Sequence, residues 1–113
     1  MAYPQDPFLG YTLAQPAVRA IQAQGVVANA KHWVVNSQET DRMTVNEIVD
    51  ERTRMEYYYP PFAGAIEAGV GSVMCSCARA TFGIHPVTYC SLAPPPFVQR
   101  VTGLVAVWDW HHR

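Results

Sequence analysis

Three short apolar runs divide the chain, each opened by glycine and each closed by polar or reactive side chains. Gly25-Val-Val-Ala-Asn-Ala30 leads into Lys31-His32, Gly71-Ser-Val-Met-Cys75 into Ser76-Cys77, and Gly103-Leu-Val-Ala-Val-Trp108 into Asp109. Near-continuous apolar runs of this length predict strands buried on both faces, as in a parallel sheet covered by helices. A first helix is predicted over residues 9–24, where Leu13, Ala17, Ala20, Ile21 and Gln24 trace one face, Pro16 sits in the interior and Gly25 supplies the stop. A second is predicted from Asp50, an N-cap with Glu51 in the first turn. Met55, Tyr59, Phe62 and Ile66 then draw one stripe, Pro60-Pro61 forces a kink or a restart, and Gly69 ends the helix. Between Thr81 and Val101, Gly83, Pro86 and Pro94-Pro95-Pro96 forbid a long regular helix. The strand ends at residues 31, 76 and 109 are 45 and 33 residues apart, near the ~31 per strand-helix unit of an eight-stranded barrel. The predicted class is α/β, with about three parallel strands and crossover helices. A closed (β/α)8 TIM-like barrel needs eight strands, so the chain reads as a fragment of one.

Composition narrows the partners. With 113 residues, 50% of them hydrophobic and 15% charged, the chain is fit to bury a core. A net charge of −1 offers no basic field for nucleic acid. No apolar run approaches the ~18 residues of a membrane span, and Met-Ala-Tyr-Pro-Gln-Asp-Pro at the start lacks the pattern of a secretory signal, which leaves a cytosolic chain or one whose true N-terminus lies elsewhere. Cys75, Cys77 and Cys90 cannot pair completely, and together with His85 they depart from zinc-finger spacings, so buried thiols are expected and neither metal nor cofactor.

Two places carry candidate chemistry. Lys31 is the only lysine and stands beside His32 where an apolar run ends. Strand C-termini carry the active sites of parallel α/β folds, and a Lys-His pair can donate several hydrogen bonds to hydroxyls; the competing reading is a solvated strand end. Asn36-Ser37-Gln38-Glu39 just downstream suits a loop wall or a plain loop, and pairing among Glu39, Asp41 and Arg42 would contribute little at a surface. The other place is Asp109, between Trp108 and Trp110. Flanking indoles desolvate a carboxylate and raise its pKa unless a cation holds it ionised, a part Lys31 can take; the competing reading is a surface or capping aspartate.

Several blocks of the chain share a family's pattern. They are Asp6-Pro-Phe-Leu-Gly10, Gly25-Val-Val-Ala-Asn-Ala-Lys-His-Trp33, Asn36-Ser-Gln-Glu39, Val49-Asp-Glu-Arg-Thr53, Tyr59-Pro-Pro-Phe62 and Ala68-Gly-Val-Gly-Ser-Val-Met-Cys-Ser76. In order and spacing they resemble the barrel domain of glycoside hydrolase family 3, which contains β-glucosidases, β-xylosidases and related exo-acting enzymes. The resemblance is strong over residues 6–76 and weak over 77–113, and it makes the whole of 1–113 a partial N-terminal barrel domain. It implies that Lys31 and His32 hold hydroxyls of the sugar being cleaved and that Met74 lines the same subsite. Trp108-Asp109-Trp110 matches the family's S-D-W motif, which makes Asp109 the nucleophile and Trp110 a wall for the apolar face of a pyranose.

The departures fall after Ser76. Cys77 stands where the family has a tyrosine, Trp108 where it has a serine, and Gly103 lies one residue further from the aspartate than usual. His111-His112 resemble a histidine pair that normally stands further from the tryptophan. A retaining hydrolysis needs a second carboxyl about 5–5.5 Å from the nucleophile. The resemblance implies that this acid/base comes from a following domain; Glu39, Glu47, Glu51, Glu56 and Glu67 map to loop or crossover positions. The implied function is hydrolysis of terminal β-linked sugars, with a β-linked oligosaccharide or glycoside as ligand and the remainder of the barrel and the second domain as partners. The alternative is a non-catalytic truncated remnant of such an enzyme, and a carbohydrate-binding module is the least favoured reading. Relatives are often secreted, so an extracellular location is the expectation from resemblance.

Overall fold

Asp6 begins the first helix. The computed structural model describes residues 6–36, 40–41, 44–76, 79–82, 85–87 and 105–107, and for residue 75 and from 79 onward it describes the backbone alone. Helix α1 spans Pro7–Gln22. Asp6 Oδ1 accepts the Leu9 amide at 2.9 Å, and Pro7 occupies the first turn, where its missing N–H leaves no bond unmade. The helix continues through Pro16. Its buried residues are Gly10, Ala14 and Val18, not the predicted face; Leu13 is 52% exposed, and Ala20, Ile21 and Gln24 are exposed too. The reason lies in α3, Pro60–Glu67. Its Gly64 approaches α1 so closely that a Cβ would stand 2.3 Å from the Tyr11 carbonyl oxygen. Small residues let the two backbones meet, while the bulkier apolar ones stand on the flank.

Gly25 ends the first helical region at φ +74° and Gly69 the second at φ +77°, both at the predicted stops and both in the left-handed region that glycine adopts without a steric penalty. Gln22 ties these two ends together. Its Nε2 donates to the Gly69 carbonyl at 2.9 Å and its Oε1 accepts the Gly71 amide at 2.8 Å.

The three predicted apolar runs become three strands of one parallel sheet: β1, Asn29–Trp33; β3, Ser72–Cys75; and β6, Val105–Val107, in the order β1-β3-β6. β1 begins later than the run that announced it. Val26 and Val27 are 58% and 68% exposed, and Lys31 and His32, expected just past the strand, lie within it. Nor is β1 buried on both faces. Ala28, Ala30 and Val73 join Ala14, Val18, Phe62 and Ala65 in the core, whereas Asn29 and Lys31 are exposed, because among the described residues the helices cover a single face.

A second sheet was not announced by any periodicity. β2, Asn46–Val49, runs parallel to β4, Arg79–Phe82, and β4 pairs antiparallel with β5, His85–Val87. Strands of three or four residues are too short to show an alternation. Pro86 sits on the edge strand β5, the place in a sheet where a residue without an N–H is tolerated.

The crossover to β3 restarts as predicted. Asp50 caps the short helix α2, Glu51–Thr53, accepting the Thr53 amide at 2.9 Å and the Thr53 hydroxyl at 2.6 Å. A π-helical turn over Arg54–Tyr58 follows, in which the Tyr59 amide donates to the Arg54 carbonyl five residues back at 3.1 Å, and α3 then starts on Pro60. The wider turn shifts the helical phase. Met55 therefore leaves the predicted stripe and is 55% exposed, while Phe62 is buried and Tyr59 and Ile66 pack against the core. Trp33 closes that core by stacking on Tyr59 at 4.8 Å between ring centres and meeting Phe62 edge-on at 5.0 Å.

Candidate functional site

The C-terminal ends of parallel strands gather the residues that follow them. In the register of the sheet, Asn29 pairs with Ser72, Ala30 with Val73 and Lys31 with Met74, but it is Trp33 that pairs with Cys75. His32 is thus an extra residue, a β-bulge at the end of β1. The bulge lets Trp33 align with Cys75 on the core side instead of alternating away from it, and bulges of this kind re-aim side chains beside active sites. Met74 pairs in turn with Val107, so Lys31, Met74 and Val107 form one row across the three strands. Lys31 is exposed, and His32 and Met74 are half-buried.

The backbone beyond the bulge is unusual. The Lys31–His32 and Trp33–Val34 peptide bonds are cis, and Val35, buried at 3% exposure, has φ +62°. A β-branched residue in the left-handed region costs on the order of 1–3 kcal/mol, and such residues cluster at functional sites. The Ser76 amide donates to the Trp33 carbonyl at 2.6 Å and so continues the β1–β3 pairing past Cys75. The Asn36 amide nitrogen lies 3.4 Å from His32 Nδ1. Among the described residues, Trp33 Nε1 and Asn36 Oδ1 are buried without a hydrogen-bond partner.

Of the residues singled out in the sequence, the structure brings together Lys31, His32 and Met74. Asp109 and Trp110 lie outside the described residues, as do Trp108, Glu39, His111 and His112; Val107, two positions before Asp109, is in the row with Met74. The other acidic candidates lie on different elements: Glu47 on β2, Glu51 on α2, Glu56 in the π-helical turn and Glu67 at the end of α3, where it accepts a hydrogen bond from the Tyr11 hydroxyl. That bond raises the Tyr11 pKa. Tyr59 is also raised, by burial, against an opposing pull from the Arg54 guanidinium 5.6 Å from its ring. Of the residues weighed for zinc, Cys75 is on β3 and His85 on β5, in different sheets, while Cys77 and Cys90 lie outside the described residues.

A hollow of 80 Å³ lies between α1 and β1. Alanine and valine side chains of Ala14, Val18, Ala28, Ala30 and Ala65 form most of its wall. Asn29 and Lys31 are its polar members, so Lys31 borders both the hollow and the row at the strand ends; the row, which adds His32 and Met74, is the better candidate. Sequence reasoning missed the roles of Trp33 and Asn36. The four-residue step from His32 to Asn36 was legible, but not that the two side chains meet.

Residues 1–88 match the model of the Glycosyl hydrolase family 3 N terminal domain. The chain is similar to beta-glucosidase cel3A of Pyricularia oryzae, 45% identical over 71 residues that make up 63% of this chain and 10% of that protein. It is similar to a beta-glucosidase of Rhizobium radiobacter, 45% identical over 66% of this chain and 9% of that one. Among solved structures, beta-glucosidase 3B of Thermotoga neapolitana in complex with glucose superposes with a TM-score of 0.78 at 33% identity, covering 93% of this chain and 15% of its own. The chain spans about a tenth of the length of the curated relatives it matches.

Proposed function

This chain belongs to glycosyl hydrolase family 3, and on that premise we propose that it supplies part of the sugar-binding wall of a β-glucosidase-type enzyme acting on terminal β-linked sugars. The observation that carries the reading is the row at the strand ends, where Lys31 and Met74 are register partners and His32 is the bulged residue beside them. Lys31 donates up to three hydrogen bonds and neutral His32 one, which suits hydroxyl oxygens of a pyranose, and the Met74 thioether supplies an apolar contact. Asp109 is the proposed nucleophile. Its carboxylate attacks the anomeric carbon, the bond to the leaving oxygen breaks with a proton from an acid outside these 113 residues, and water then releases the sugar from the glycosyl ester. Trp110 is the proposed wall against the ring's apolar face.

The test is a chimera in which residues 6–76 replace the corresponding segment of a full-length relative. It should hydrolyse an aryl β-glucoside, and Lys31→Ala and His32→Ala should each lower kcat/KM by about 1–3 kcal/mol, roughly five- to hundredfold. An active chimera with unchanged kinetics in both variants would remove the pair from the site. An inactive but folded chimera would favour the reading of a non-catalytic remnant.

A further inference from the structure

β1 ends on two ring-bearing side chains in succession, His32 and Trp33, and offers one buried place between them. Side chains alternate between the faces of a strand: Ala30 and its register partner Val73 are buried, while Lys31 and its partner Met74 lie on the other face. The place opposite Cys75, two residues after Val73, is therefore on the core side. An unbroken register would give that place to His32 and would send Trp33 outward opposite Ser76, whereas the shift after Lys31 gives it to Trp33.

Packing supplies the reason. Trp33 is 8% exposed, stacked on Tyr59 with 16° between the ring planes and met edge-on by Phe62. Both partners come from the crossover, Tyr59 between the π-helical turn and α3 and Phe62 in the first turn of α3. An indole buries more apolar surface against them than an imidazole would, and an imidazole would bring two ring nitrogens that need partners. A one-residue slip exchanges the faces of a strand, so the side chain that takes this place also decides where its neighbour goes.

We propose that Trp33 is a positioning residue whose burial selects the bulged register and so keeps His32 off the core face. On the function proposed above, this is what leaves His32 beside Lys31 for a sugar; the choice of register itself does not depend on that reading.

A double-mutant cycle at positions 32 and 33 of the 113-residue chain, read by urea unfolding, tests it. Trp33→Ser should lower the midpoint or abolish the transition, because the core place is left to serine. Adding His32→Leu should restore much of that loss, since the unbroken register then carries leucine to the same place, while His32→Leu in the parent should shift the midpoint little. An equal shift in both backgrounds, no rescue, or a Trp33→Ser chain as stable as the parent overturns the proposal. Kinetics of the chimera described above separate the register from the sugar site. The loss caused by His32→Ala should shrink toward onefold when Trp33→Ser is also present. Rescue by His32→Leu with no kinetic effect of His32→Ala sinks the sugar site and leaves the positioning role, whereas an effect of His32→Ala that is the same in both backgrounds, without rescue, does the reverse.

Discussion

The seam between α1 and α3 and the C-terminal end of β1 lie on the same small core but are built on opposite terms. At the seam, Gly10, Ala14 and Gly64 bring two helix backbones together, and the polar groups that bridge α1 to α3 and its flanking turn are paired: Gln22 with Gly69 and Gly71, Tyr11 with Glu67. At the strand end, a bulged His32, a left-handed Val35 and the buried Trp33 Nε1 and Asn36 Oδ1 break the same rules within a few residues. Proteins depart from local consistency chiefly where function asks for it. The contrast therefore supports the proposal that the strand end is the working part of this chain and the seam its structural support.

Breaking the seam should have the largest effect. Gly64→Ala puts a methyl group 2.3 Å from the Tyr11 carbonyl oxygen, a backbone atom that cannot swing aside. We expect a loss of about 3 kcal/mol in urea unfolding; a loss under ~1 kcal/mol would mean that the helices separate freely and the seam is not what holds α1. Removing the clamp comes next. Gln22→Ala deletes two hydrogen bonds and leaves the Gly69 carbonyl and the Gly71 amide without that partner, a cost of about 1–2 kcal/mol in the same measurement.

At the strand end the expected sign is different. Trp33→Phe keeps an aromatic ring between Tyr59 and Phe62 while removing a buried N–H that has no partner among the described residues. Stability should change by less than ~1 kcal/mol, in either direction. A larger loss would show that Trp33 Nε1 serves the fold, and the contrast between the two regions would weaken. The smallest effect is one of pH. The Thr53 hydroxyl and amide hold the Asp50 carboxyl below the usual carboxylate range. Its contribution is therefore present above the ordinary carboxylate pKa and is lost as pH falls through the lowered value. Asn also caps helices well but does not titrate. Asp50→Asn should thus leave neutral stability nearly unchanged and flatten the acid side of a thermal-melt series; an unaltered acid limb would mean that the cap does not contribute.

What the sequence determined by itself is local. Asp6 and Asp50 cap because a short carboxylate reaches the amide three residues ahead, Gly25 and Gly69 stop helices because only glycine takes that turn cheaply, and Pro60 restarts one because a first turn needs no N–H. The three apolar runs announced three parallel strands, and the quoted blocks announced the family. Tertiary structure decided the rest, since each remaining feature joins residues far apart in the chain. Which face of α1 is buried depends on Gly64, more than forty residues later, and a pattern that weighs bulk passes over small residues. Lys31 meets Met74 only through the register of β1 on β3, and the bulge that sets His32 apart is a mismatch between two strands that neither contains alone. The contact of His32 with Asn36 was equally out of reach: a period read along one element cannot foresee a turn imposed by its neighbour.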